Sequence, residues 1–358
     1  MSHVVPTLYI TLESGTRNER TRAMRGVATA MLAAASDTIR VVEIRPDGAG
    51  AFIGIQDATP IRFKRGDTVL VATHGWMVPE FVAGVAAAQH QGARIAALIH
   101  DLARLRRPEW YPPDESINFA TWLDGMLDLA AHVLVPSLAT ARDIAAYRRE
   151  RKRPEIETIR IRLGDGTLAS LGNADNPATR IDVPYALVAG PIEIRLNHNV
   201  VVEAWRRLAA RVKPGQMPKL VFAGSVGPLT HDMRERLARG SDPNIEIILD
   251  PDDATLSALY RGCAFTVFPA LYEGWGIAVT ESLCFGKPVF AANAMALPEA
   301  GGRLARYFDP LDPEDTARHI ERVLLDPGDS IRWCDEIARV FVPTKWSETA
   351  RAVLAAMG

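Results

Sequence analysis

Short runs of β-branched and aliphatic residues alternate with stretches of helical length along nearly the whole chain, and this alternation constrains the fold more than any other feature. In the first half, strands are expected over residues 8–12, 39–44, 68–72, 94–99, 133–136 and 158–162, with shorter pieces around 52–55 and 61–63. Helical runs fall between them, over about 19–35, 78–91, 116–130 and 138–149. Parallel strands need long crossovers, so this order implies an α/β fold: a parallel sheet covered by helices on both faces. Ligands of such sheets gather at the carboxyl ends of strands. His74 and His100 fall at two such ends.

The pattern is interrupted once. Residues 164–178 are rich in glycine, asparagine and aspartate and read as a linker. A second series follows, with strands over 185–189, 219–223, 245–249, 264–268 and 289–292 and helices over about 197–212, 232–239, 254–261, 277–284 and 313–325. The 289–292 strand and the 313–325 helix are expected to close the second sheet. The tail, 330–357, is helical with a break at Pro343. A chain of 358 residues is long enough for each half to bury its own core, which places a first domain at 1–165, a linker at 166–182 and a second domain at 183–335.

Composition removes several classes of function. A net charge of -2 argues against a general nucleic-acid binder, which needs a dominant basic face. Cys263, Cys284 and Cys334 show no metal-ligand spacing and read as reduced core residues of a cytosolic protein. The first ten residues lack a charged region followed by a long apolar stretch, and no run of about 18 apolar residues occurs, so neither a signal peptide nor a membrane span is expected.

One stretch concentrates the chemistry. The apolar run 264–268 leads through Pro269 to Gly274-Trp275-Gly276 and then to a helical run from Ile277 to Cys284. Strand, glycine loop and helix together aim backbone N–H groups and a positive helix end at an anion, and a phosphate suits that position. Glu273 precedes the glycines, and Glu281 lies one turn after Ile277 on the same helix face. Both could accept bonds from sugar hydroxyls. Spacing alone fits equally well a first-turn acid favoured by the helix dipole and a solvated loop acid.

Glu273 and Glu281, with seven residues between them, sit within Phe268-Pro-Ala-Leu-Tyr-Glu-Gly-Trp-Gly276 and before Ser282-Leu-Cys-Phe-Gly-Lys-Pro-Val289. This pattern resembles the E-x7-E signature of the family 4 retaining glycosyltransferases, and the likeness continues through Pro298–Gly302 and Tyr307–Pro313. The resemblance implies the GT-B fold: two Rossmann-like domains, a donor cleft between them and a C-terminal helix, here 336–358, returning to the first domain. It places Glu273 by the donor sugar and Glu281 on the ribose. Gly274, Gly276 and Ile277 would offer N–H groups to the departing diphosphate, with Arg195 as the cation. His100, followed by Asp101, resembles the segment that contacts the donor sugar. Gly15, Arg25, His74, Trp76 and Asp101 are further candidates for donor or acceptor contacts, with Trp76 fitting a core position equally well. Two departures stand out: Leu196 occupies the position of the family's usual lysine, and Ala23-Met-Arg25-Gly26 replaces its usual Gly-Ile-x-Arg segment.

Asp250-Pro-Asp252 has the look of a metal-binding D-x-D, but it leads into a helix, and Asp252 or Asp253 is expected to cap it. No metal and no cofactor are expected. The basic cluster 148–153 reads as a solvated helix end, with peripheral contact to anionic lipid as the other reading. The resemblance therefore implies a retaining, metal-independent transferase that moves a hexose, with mannose or a deoxyhexose favoured, from a nucleotide diphosphate sugar to a glycan or lipid-linked glycan in surface polysaccharide synthesis. It would act in the cytoplasm, with the inner face of the membrane as an alternative place within it. An inactive binding partner of the same fold and a nucleotide-sugar 2-epimerase are the alternatives.

Overall fold

A computed structural model describes residues 7–11, 19–36, 39–73, 75–171, 181–213, 215–229, 233–235 and 244–357. The chain divides into two units: Met1–Gly164 with Thr344–Gly358, and Asp165–Pro343. Among the described residues, no helix is long and apolar enough to cross a membrane.

Unit 1 holds strands β1 (Thr7–Thr11), β2 (Arg40–Pro46), β3 (Phe52–Gly54), β4 (Thr68–Val71), β5 (Arg94–Leu98), β6 (His132–Val135) and β7 (Thr158–Arg160). They form one sheet in the order β3-β2-β1-β4-β5-β6-β7, parallel except for the antiparallel β2–β3 pair. Its helices are α1 (Glu19–Ala33), α2 (Phe81–His90), α3 (Ala103–Arg106), α4 (Pro113–Leu129) and α5 (Leu138–Glu150). Central strands such as β4 are buried along their whole length, as the continuous apolar runs of a two-faced parallel sheet require.

Several boundaries differ from expectation for local reasons. Residues 61–63 do not form a strand. Pro60 lacks an N–H to continue a ladder, so only the isolated Ile53–Pro60 bridge forms there, and Phe63 instead packs edge-on against Tyr9 at 5.0 Å. The helix expected from Val78 begins at Phe81. Pro79 disfavours helical geometry at Val78, and a 3-10 turn, Gly75–Met77, and a left-handed Glu80 intervene. α4 starts earlier than expected because Pro113, at its first position, has a preset helical φ and needs no N–H acceptor.

Unit 2 holds β8 (Tyr185–Ala189), β9 (Lys219–Gly224), β10 (Ile245–Leu249), β11 (Phe265–Phe268), β12 (Val289–Ala292) and β13 (Arg306–Phe308), all parallel, in the order β10-β9-β8-β11-β12-β13. The sheet therefore ends on β13, a three-residue edge strand too short to show a pattern in sequence. Its helices are α6 (His198–Ala209), α7 (Asp253–Gly262), α8 (Ile277–Cys284), α9 (Leu297–Gly301), α10 (Pro313–Leu325) and α11 (Pro327–Val340). Of the expected 232–239 helix, only 233–235 are described, and they are helical. The segment read as a linker opens inside this unit: Leu168 is fully buried in its core with Tyr185 and Tyr260, and Ser257 Oγ donates to Leu168 O at 3.0 Å. Residues 172–180 lie outside the described set.

The tail breaks around Pro343 as expected, and its last helix, α12 (Trp346–Met357), belongs to unit 1. The Trp346 ring lies where only glycine leaves room. A Cβ on Gly26 in α1 would come within 2.3 Å of it, and one on Gly164 within 2.4 Å. Thr349 Oγ1 adds a bond to Arg162 O at 2.9 Å. Gly26→Ala is expected to destabilise the protein by about 1–3 kcal/mol through overpacking, read as a lower midpoint in urea unfolding, whereas Gly48→Ala, with open space around it, is expected to cost only the strain of its left-handed backbone.

Candidate active site

In unit 2 the strand order turns between β8 and β11, which lie side by side at the centre of the sheet. Chain leaving the carboxyl ends of these two strands opens a crevice, the usual ligand position in an open α/β sheet. The two segments that leave there are 190–196 and 269–276, and they meet. Leu271 N donates to Arg195 O at 2.9 Å. Arg195 is 4% exposed. Its Nε donates to Glu193 Oε1 at 2.6 Å and its Nη1 to Tyr272 O at 3.2 Å. The same Nη1 forms an ion pair with Glu273. Two residues singled out in sequence are thus brought together, along with Glu193, which was not. Glu273 is no solvated loop acid: its carboxylate is held by a guanidinium withdrawn from water.

The loop after Glu273 reaches α8 through Gly276, which caps the helix in left-handed geometry at φ +91. A Cβ there would also meet Leu297 Cδ2 at 2.5 Å, so backbone angle and close packing both demand glycine. No side chain caps this helix. The N–H groups of Ile277 and Ala278 precede the first bond of the turn, from Val279 N to Gly276 O at 3.0 Å, and carry the positive end of the dipole. α8 is buried from Ala278 to Leu283, and it is tied to β11 by a 2.7 Å hydrogen bond between Ser282 Oγ and Thr266 Oγ1.

Glu281 is 3% exposed. Tyr260 Oη donates to its Oε2 at 3.2 Å, and the Tyr260 ring is stacked on Phe285 with centroids 5.1 Å apart. Burial pushes the nearby Cys284 thiol up to about 12, with the negative charges of Asp165 and Glu281 adding to the shift. Tyr260 lies 21 residues from Glu281, and no sequence spacing announces this contact.

Leu196 is fully buried, so the position expected to hold a lysine is apolar core in this chain. His198, two residues on, is 2% exposed, with its ring edge-on to Phe222 at 4.8 Å. Burial lowers its pKa from 6.5 to about 4, against the opposing pull of Glu193.

In unit 1, His100 and Asp101 follow β5. Thr140 Oγ1 donates to His100 O at 3.2 Å, and Asp101 Oδ1 accepts from Ala103 N at 3.0 Å. With Thr73, Trp76, Arg104 and Trp122 they line a small pocket open to solvent. Trp76 belongs to the core and to the pocket wall at once: it is 9% exposed, packed edge-on against Phe119 at 4.9 Å and Trp122 at 5.2 Å. Arg104 lies over its ring at 4.8 Å and over Tyr111 at 4.6 Å, and pairs with Glu115 at 3.0 Å. Gly15, His74 and the side chain of Arg25 lie outside the described residues.

Other sequence candidates resolve into structural roles. Asp252 caps α7, accepting from Thr255 N at 2.7 Å. No group of three side chains suited to a metal ion occurs among the described residues. The basic cluster at the end of α5 is matched by acids: Arg148 pairs with Asp128 at 3.0 Å, Arg151 with Asp124 at 3.0 Å and Arg153 with Asp128 at 3.4 Å. Arg148 and Arg153 share the single carboxylate of Asp128.

Two parallel sheets, each in its own α/β unit, define the GT-B class of fold. HepE of Anabaena, solved in complex with UDP and glucose, matches with a TM-score of 0.67 at 13% identity, over 98% of this chain and 99% of its own. In sequence, residues 175–340 match the profile of the family described as glycosyl transferases group 1. The serotype-specific mannosyltransferase WbdA of Escherichia coli is 26% identical over 281 residues, covering 74% of this chain and 34% of WbdA. The O-antigen chain mannosyltransferase B of Escherichia coli is 25% identical over 250 residues, 66% of this chain and 63% of the relative. The chain thus spans about a third of the length of WbdA.

His198 is a buried histidine whose folded pKa lies below its ordinary value. The stability it supports is complete above pH 6.5 and is lost as pH falls from 6.5 towards 4, where the unfolded chain takes up a proton that the folded one refuses. The loss is about 3 kcal/mol at most. Urea unfolding across this range is expected to show a shallower pH dependence in His198→Gln than in the unaltered protein.

Proposed function

We propose that this chain is a retaining, metal-independent glycosyltransferase that moves a hexose from a nucleotide diphosphate sugar to a hydroxyl of a glycan acceptor, free or lipid-linked, in surface polysaccharide synthesis. The observation that carries this reading is the junction of Arg195 and Glu273 beside the N-terminus of α8, where the central strands of unit 2 diverge. The family match over the same unit supports it, and the two mannosyltransferases among the relatives favour mannose as the transferred sugar.

The chemistry suits these residues. As the sugar–phosphate bond lengthens, negative charge gathers on the departing diphosphate. Donors fixed in place before the reaction stabilise that charge without reorganising. In this reading the N–H groups from Gly274 to Ile277 face the diphosphate, and the helix end contributes about 0.3–1 kcal/mol, rising to about 2 when sheltered. Arg195 supplies formal charge, Glu273 contacts the sugar and Glu281 the ribose. Retention needs no second carboxylate across the ring, because the leaving phosphate itself takes the proton of the incoming hydroxyl on the same face. The resemblance assigns His100 of unit 1 to the transferred sugar.

One observation favours a second reading, a partner protein of the same fold with little turnover: the position of the usual lysine is buried Leu196, and Arg195 is already engaged by two carboxylates. Release of nucleotide from GDP-mannose, UDP-glucose and related donors, with and without mannose-terminated acceptors, separates the two. Acceptor-dependent turnover supports the transferase; donor binding without turnover supports the partner.

For the transferase, Glu273→Ala and His100→Ala are expected to lower kcat by about 100-fold or more, and Glu281→Ala to raise the donor KM with a smaller change in kcat. Activity is expected to survive removal of divalent ions by EDTA, and proton NMR of the product to show the donor's anomeric configuration. Unchanged kinetics in all three variants would remove the proposed site.

A further inference from the structure

Arg195 presents a conflict that the proposed function does not resolve. A site for a dianionic diphosphate is served by a cation, yet this guanidinium is gripped from two sides by carboxylates, Glu193 on Nε at 2.6 Å and Glu273 on Nη1, with a third acceptor in Tyr272 O. Glu193 and Glu273 are themselves largely shielded, at 15% and 14% side-chain exposure. In such surroundings like charges repel strongly, and an incoming phosphate oxygen would compete with both acids for the same N–H groups.

The two carboxylates are held differently. Glu193 lies immediately before the 3-10 turn Ile194–Leu196 that carries Arg195, with Ile194 N bonded to Pro228 O at 2.8 Å. Glu273 lies in the loop between β11 and α8, directly before the two glycines, with its backbone carbonyl accepting from Ala296 N at a long 3.3 Å. Glu193 is thus local to Arg195, whereas Glu273 reaches it from the loop before α8.

Resting on the transferase reading, we infer that Glu193, Arg195 and Glu273 form an ion-pair exchange: the donor diphosphate takes Arg195 Nη1 from Glu273, and the released carboxylate becomes available to the hydroxyls of the transferred sugar. Glu193 keeps the guanidinium aimed through the exchange and sets how tightly the diphosphate is held. It is a positioning residue, acting through Arg195. No bond is made or broken in the exchange, and the proton stays on the guanidinium, which does not ionise in proteins. The arrangement couples the two ends of the donor: a nucleotide without its sugar displaces Glu273 and gains nothing from the freed carboxylate, whereas the intact donor supplies hydroxyls that occupy it.

The test is calorimetric titration of the full chain with GDP and with UDP, alongside donor kinetics. A neutral amide competes for a guanidinium less strongly than a carboxylate does. Glu193→Gln and Glu273→Gln are each expected to bind the free nucleoside diphosphate about fivefold more tightly than the unaltered protein. Arg195→Ala is expected to bind it at least 30-fold more weakly. In kinetics Glu193→Gln lowers the donor KM with kcat held or reduced, while Glu273→Gln loses transfer despite its tighter binding. That combination is one a purely structural ion pair would not produce. Unchanged or weaker binding in both glutamine variants, each melting within a few degrees of the unaltered protein, overturns the exchange and leaves the transferase reading intact. Failure of every form, unaltered protein included, to bind either nucleotide overturns the transferase reading and the exchange with it.

Discussion

Unit 2 depends on one buried guanidinium. An arginine at 4% exposure cannot shed its charge, so folding must bring acceptors to it, and the acceptors here come from both segments that leave the sheet's central strands. Glu193 is local; Tyr272 O and Glu273 arrive from nearly 80 residues away. The charge that is costly to bury is therefore also what pins the β8 loop to the β11 loop. Breaking such a pair costs more than forming it gains, since it strands a desolvated charge. A site built this way holds its geometry through electrostatic necessity rather than through apolar packing.

Around that pair the fold supplies rigidity. β11 is buried along its length and α8 from its second residue to its seventh, so neither can shift without opening core. The Ser282–Thr266 bond fixes the helix on its strand. Gly276 turns the chain where a side chain would strike Leu297. The helix N-terminus is thus aimed by packing, while Glu273, on the loop before it, is placed by charge. Glu281 belongs to the packed part: its carboxylate shares a buried hydrogen bond with Tyr260.

Unit 1 contrasts in chemistry. Where unit 2 gathers charge at its strand ends, unit 1 gathers rings. Trp76, Phe119 and Trp122 pack edge to face, and Arg104 lies against Trp76 and Tyr111 with its charge balanced by Glu115. The pocket they form beside His100 and Asp101 presents aromatic rings and an arginine paired with Glu115. The same balancing of charge runs along the end of α5, where Asp124 and Asp128 face the arginines.

The local periodicities of this chain determined two alternating α/β series, the glycine loop before α8, the break near Pro343 and a helix cap at Asp252 or Asp253, because each follows from neighbouring residues: buried strands must read as apolar runs, tight turns need glycine, and helix starts need an acceptor. What depends on distant partners was decided only in three dimensions. Three residues, Arg306–Phe308, carry no period of their own and become an edge strand only because β12 offers a free side. Gly164 looks like the start of a linker until Trp346 is seen against it. Arg195 and Glu273 could be picked out singly, but nothing in their spacing said that they would meet, or that Glu193 would join them. Contacts across some 80 residues are fixed by strand order, and strand order is a property of the sheet as a whole.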